Sequence, residues 1–241
     1  MRMYLGAAAV LAVVAVLILA AVTLLGGRDG ASGGADAGTG AAGVPAETGP
    51  SPASYSSSAS SEAYRGLARR RDDPAPLTAG EVFPESVSEL RAEKARPTLR
   101  GKRLDADCTA AAWGGTVAAD LRRGRCTQAA RMIYADTRSG HALAVAVFNL
   151  ASADDAGRFV AMLDKARGGG FVRPLPVPRS RHVFGQGYGM ARGLAMGHFA
   201  VVTWAERLDG EGDARDETLL SLLIEGGKVP AVLGRAARTT Q

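Results

Sequence analysis

The chain has 241 residues, 46% hydrophobic and 22% charged, which is enough for one domain-sized core and too apolar for a wholly disordered chain. Its formal charge of +5 is modest, and the positive residues fall largely between Arg65 and Arg103 instead of on one folded face, so nucleic acid is not an expected partner. The two cysteines and three histidines have no metal-ligand spacing among them, and no metal or other cofactor is expected.

From Met3 to Leu25 no residue is charged, and Ala7 to Leu25 is almost wholly Ala, Val, Leu and Ile. At about 1.5 Å per residue this run makes a helix of roughly 34 Å, enough to cross a ~30 Å hydrocarbon core. A cleaved signal peptide has a shorter apolar region, about 7–15 residues, ending in a small-residue site. The expectation is a single-pass signal-anchor helix at 3–25. Residues 1–2 would be cytoplasmic, because Arg2 stands on the N-terminal side while Asp29 offsets Arg28, and the C-terminal domain would lie outside the cell membrane.

Residues 26–76 are rich in Gly, Ala, Ser and Pro and read as a flexible tether, of which Gly26 to Tyr64 alone has a mean reach of about 35 Å. The Ser51 to Ser61 run also fits an O-glycosylated stalk. Order is expected from Leu77, where Thr78-Ala79-Gly80-Glu81 has the spacing of a capping box, and the folded domain is placed at 77–238.

Within it, Pro97 to Leu104 reads as a strand and Asp107 as the N-cap of a helical region reaching Arg123. Cys126 to Ala135 and Ala142 to Leu150 read as strands joined by the turn Asp136 to Gly140. The second strand is apolar on both faces, the mark of a covered central strand. Ser152 caps a helix whose Ala156, Phe159, Val160 and Leu163 make one buried stripe. After Pro174, Pro176 and Pro178 come strands near His182–Ala195 and His198–Arg207. A helix carrying Leu219 to Ile224 and a helical tail from Pro230 complete the chain. The order β-α-β-β-α-β-β-α predicts an α+β fold, an antiparallel or mixed sheet of about four to five strands in ferredoxin-like (split βαβ) order with an added strand and helix.

Cys108 and Cys126 lie 18 positions apart, flanking the helical region. A continuous helix over that distance separates their Cα atoms by roughly 27 Å, whereas a disulfide requires about 4.4–6.8 Å. In an exported domain the pair is expected to be bonded, with two free core cysteines as the alternative. If the bond forms, the helix must break, and Gly114-Gly115 is where the chemistry invites it, giving two short helices with Trp113 and Val117 turned inward.

Catalytic motifs are missing. There is no Gly-x-Ser-x-Gly elbow, no Ser-x-x-Lys and no P-loop. The run Gly185-Gln186-Gly187-Tyr188-Gly189 lacks the third glycine of a dinucleotide loop and leads into a strand. No enzyme is expected. The best contact surface is the basic segment Arg91, Lys94, Arg96, Arg100, Lys102 and Arg103, opposed mainly by Glu89 and Glu93, which suits anionic lipid or acidic wall polymer. A solvated charged face is the plainer reading.

At Leu77-Thr78-x-x-Glu81-Val82-Phe83-Pro84, Asp107-Cys108 and Gly124-Arg125-Cys126-Thr127-Gln128, the sequence resembles membrane-anchored or exported proteins of unknown function from Streptomyces and related actinomycetes, over roughly residues 77–225. The resemblance implies an exported domain and no activity. The expected function is therefore a tethered extracytoplasmic binding or interaction module. It would contact the membrane through its N-terminal helix, and anionic lipid, cell-wall polymer or another envelope protein through the domain. The alternatives are a structural envelope protein and, behind it, a hydrolase with an unrecognised site.

Overall fold

The computed structural model describes residues 49–165 and 169–239. In chain order its elements are β1 (Ser54–Ser58), a short helix α1 (Ala79–Val82), β2 (Thr98–Asp105), β3 (Ala112–Trp113), α2 (Gly115–Arg123), β4 (Gln128–Asp136) and β5 (His141–Asn149). They continue with α3 (Ala153–Lys165), β6 (Phe171–Val172), β7 (Gly189–Met196), β8 (Phe199–Arg207), α4 (Glu217–Gly227) and α5 (Pro230–Thr239).

Six strands form one mixed sheet in the order β1-β7-β8-β5-β4-β2, and β3 and β6 pair separately. Only β1 runs parallel to its neighbour; β2–β4, β4–β5, β5–β8 and β7–β8 are antiparallel. The residue pattern of β5 explains why helices lie on both faces. Ala142, Ala144, Ala146 and Phe148 join a core with Val117 and Leu121 of α2 and Phe159, Val160 and Leu163 of α3. Leu143, Val145 and Val147 join the other core with Leu219 and Leu222 of α4 and Val232 of α5. A strand apolar at every position has to be covered twice.

The ferredoxin-like expectation is corrected by this topology. Six strands, not four to five, make the main sheet, and β2 and β4 are antiparallel neighbours, not parallel strands joined by a crossover. The connection between them doubles back because Cys108, just beyond β2, is bonded to Cys126, just before β4, with Cα atoms 6.1 Å apart. The expected break is present, with Gly114 at φ 88° and α2 starting at Gly115. The segment before it is not a helix of a hairpin. A 3-10 turn at Cys108–Ala111, N-capped by the Asp107 carboxylate through Thr109 N–H at 2.9 Å, passes into β3.

The placement of all order after residue 77 also needs correction, because β1 and two 3-10 turns, Glu62–Leu67 and Arg70–Asp72, lie within the expected tether. Composition missed them because their order comes from backbone pairing and a few anchors. Tyr55 donates its hydroxyl to the Val160 carbonyl at 2.7 Å and meets Phe171 edge-on, Leu67 is fully buried, and Trp113 Nε1 donates to the Pro50 carbonyl at 2.8 Å. Gly193 on β7 makes room, since a Cβ there would overlap the Tyr55 hydroxyl.

The expected single-pass localisation in the cell membrane is corrected as well. Among the described residues no helix is long and apolar enough to cross a membrane, and the run 3–25 on which that expectation rested lies outside them.

The two glycines of the break are not equivalent. A Cβ at Gly114 would collide with the Gly169 carbonyl and would sit at a positive φ, whereas Gly115 faces open space within the first turn of α2. Gly114→Ala should therefore destabilise by about 2 kcal/mol, and Gly115→Ala should fall within ~1 kcal/mol of the parent, on the stabilising side. Urea unfolding of the two variants checks this, and equal effects would place the break elsewhere.

Candidate functional site

Residues 88–99 fold as a hairpin-like excursion held by Leu90 N–H to Pro97 O (3.0 Å), Ala92 N–H to Ala95 O (3.0 Å) and Leu99 N–H to Ser88 O (2.8 Å). Ala92 and Ala95 are buried, so the tip lies close against the core and turns Glu93 and Lys94 outward. The Glu93 amide donates to Ser221 Oγ of α4 at 3.2 Å. Beyond the tip, β2 breaks register against β4 between Leu99 and Gly101. Such a bulge leaves Arg100 unpaired and re-aims its side chain.

The hairpin faces the β4–β5 turn across a cleft of about 670 Å³ lined by Lys94, Arg96, Arg100 and Arg138, with Glu89, Glu93 and Asp136. Asp136 is the frame of this site. Its Oδ2 accepts the Arg96 amide at 3.0 Å, and its Oδ1 accepts the amides of Arg138 (3.0 Å) and Ser139 (3.1 Å). Burial would raise the pKa of this carboxyl, but the hydrogen bonds from Arg96, Ser139 and Arg138 outweigh it and bring it down to about 2. Its charge is thus met by backbone donors, leaving the guanidinium groups of Arg96 and Arg138 free of it.

The six residues read from the sequence separate in three dimensions. Lys94, Arg96 and Arg100 converge on the cleft. Arg91 Nε lies 3.7 Å from Glu89, outside the lining. Lys102 Nζ sits 5.6 Å from the centroid of the Phe83 ring, and Arg103 pairs at 2.6 Å with the buried Asp105, which also binds Arg131 at 2.8 Å. Arg138 was missed. Its signal in the sequence was the turn Asp136 to Gly140, whose Asx geometry fixes where the side chain starts.

Two histidines stand beside carboxylates. His182 Nε2 is 3.1 Å from Glu206 Oε2, and Glu206 Oε1 accepts the Gly185 amide at 2.8 Å. His198 bridges Asn149 (Nδ1, 3.1 Å) and Asp73 (Nε2, 3.2 Å). Both side chains are almost wholly buried, and neither lines the basic cleft. The His198 pair belongs to a structural network. Arg235 of α5 binds Asp73 at 3.0 Å and Glu81 through two bonds of 2.7 Å, and it donates to the carbonyls of Ala75 and Pro76, fastening the chain before α1 to the C-terminal helix.

These groups set the response to acid. Burial holds the pKa of His198 below its ordinary value of about 6.5 despite Asp73, and burial with the Arg207 charge does the same to His141. Both are neutral in the folded state at neutral pH, so their stabilisation is complete above about pH 6.5 and declines as pH falls below it. The Glu81 carboxyl is lowered by its hydrogen bonds to Arg235, so its contribution is lost as pH falls below about 4.5, and that of Asp136 is lost as pH falls from about 3.8 towards about 2. Urea midpoints should therefore fall in two stages, a shallow one from pH 7 to 5.5 and a steep one below 4.5. Substitution His198→Gln should flatten the first stage, and a midpoint constant from pH 7.5 to 5 in the parent would contradict the assignment.

No family model, no curated protein and no solved structure matches the chain.

Proposed function

We infer that the domain is a binding or interaction module for an anionic polymer, which it takes in the cleft between the 88–99 hairpin and the β4–β5 turn. The observation that carries this reading is the convergence of Lys94, Arg96, Arg100 and Arg138, drawn from two separate stretches of chain, around one cleft of about 670 Å³. Among its acidic neighbours Asp136 is already occupied by three amides. The cleft is open and polar, which fits a repeating charged chain better than a small apolar ligand enclosed on most sides. Its cationic side chains are exposed, so each contact is individually weak and salt-sensitive, and affinity accumulates along the polymer.

The test is titration calorimetry of the full-length chain with long-chain polyphosphate and with polygalacturonate at two salt concentrations. The variant is Lys94→Ser/Arg100→Ser/Arg138→Ser, which keeps the backbone amides that hold Asp136. Three contacts of ~0.5 kcal/mol each are worth ~1.5 kcal/mol, so the variant should bind about tenfold more weakly and with a shallower salt dependence. Equal affinity in parent and variant would reduce the cleft to a solvated face.

A further inference from the structure

A second basic cleft lies at the opposite end of β4, a nine-residue strand that separates the two by about 27 Å. This cleft, about 420 Å³, is lined by Arg69, Arg70, Arg71 and Arg125 with Pro74 and Ser152. We propose that it is a binding site for a single phosphoryl group, held between the guanidinium groups of Arg70 and Arg125.

The two arginines are presented differently from ordinary surface arginines. Arg70 is anchored by its own Nη1, which donates to the carbonyls of Arg125 at 2.8 Å and Asn149 at 3.1 Å. Those acceptors are backbone atoms at the end of β5 and in the turn beside the disulfide, so the guanidinium plane is fixed before any ligand arrives. Arg125 occupies a left-handed backbone conformation, φ 49°, immediately before the bonded Cys126. A non-glycine residue there is strained, and the surrounding chain has to hold it. Its side chain is exposed and makes no hydrogen bond or ion pair among the described residues.

Charge makes the same point. The nearby carboxylates are engaged elsewhere: Asp72 lies 3.0 Å from Arg69 and 3.7 Å from Arg71, and Asp155 binds Arg158 at 2.8 Å and the Ser152 hydroxyl at 2.6 Å. Among the described residues neither Arg70 nor Arg125 makes an ion pair, and the Asp155 charge acts on both without a direct contact. The pKa of Arg70 is lowered first by burial and then by the Arg125 charge, while the Asp155 charge acts the other way. An anion between them removes that repulsion. Two guanidinium forks supply converging N–H donors that match the oxygens of a tetrahedral phosphoryl group, and their permanent charge favours it over a neutral ligand.

The test uses the full-length chain and two probes, inorganic phosphate and glycerol 1-phosphate, followed by calorimetry and by backbone amide shifts. Saturable binding of at least one probe, with Kd ~1 mM or tighter, is expected, with shifts centred on Arg70, Arg125 and Ser152. Preference for inorganic phosphate would mark a free anion as the ligand, and preference for glycerol 1-phosphate a phosphomonoester. Arg125→Gln should weaken binding at least tenfold without loss of fold, because its side chain supports nothing else. Arg70→Gln should abolish binding, though its carbonyl contacts also brace the structure, so Arg125→Gln is the deciding variant. The Lys94→Ser/Arg100→Ser/Arg138→Ser variant should bind both probes as the parent does, so that failure here and failure of the polymer cleft are read separately. Absence of saturable binding up to ~20 mM, far above the expected Kd, or unchanged affinity in Arg125→Gln, would overturn the proposal.

Discussion

The Cys108–Cys126 bond is the constraint from which the rest of the molecule follows. It joins the chain just after β2 to the chain just before β4, with Cα atoms 6.1 Å apart. Two strands tied end to start at that distance run antiparallel and lie side by side, as the register from Thr98↔Ala135 to Asp105↔Ala129 shows. By the loop-entropy estimate, closing this stretch of 19 residues is worth about 3 kcal/mol. Both basic clefts stand on the strand pair so defined. One uses the bulge at Arg100 and the far turn of β4, and the other uses Arg125 beside the bond itself.

Buried charge supplies a second layer of definition. Asp105 with Arg131, Asp120 with Arg158, and Arg235 with Asp73 and Glu81 each link elements far apart in sequence. Such pairs recover little net energy after desolvation, but breaking one strands a buried charge and costs about 3–5 kcal/mol. Their consequence is geometric. Arg235 fixes the path of residues 73–81, and so the entry into the hairpin that carries Lys94 and Arg96.

Much of the local structure was legible, because period and capping are local signals. The stripe Ala156, Phe159, Val160 and Leu163 is the buried face of α3, and the two-sided apolar pattern of β5 divides between the two cores. The strand order was not read, although the sequence held a contradiction that decided it. A split βαβ unit places the end of one strand a strand length, about 26 Å, from the start of the next, which a disulfide between Cys108 and Cys126 forbids. Bond and ferredoxin-like order were mutually exclusive expectations, and the bond is the one that forms. β1 was invisible for a different reason. Ser54-Tyr55-Ser56-Ser57-Ser58 has one apolar anchor, and its order depends on the β7 edge and on the space left by Gly193. The basic segment was legible as charge but not as geometry. Counting along β2 could not reveal that Arg103 is spent on Asp105, that a bulge isolates Arg100, or that Arg138 completes the cleft from another strand's turn.

The most direct test of this account compares the unfolding free energy of the oxidised protein with that of the Cys108→Ala/Cys126→Ala variant, alongside thiol counting in the native parent. The parent should show no alkylatable thiol, and the variant should lose about 3 kcal/mol. Two reactive thiols in the native protein, or a variant within ~0.5 kcal/mol of the parent, would show that the bond does not hold β2 against β4.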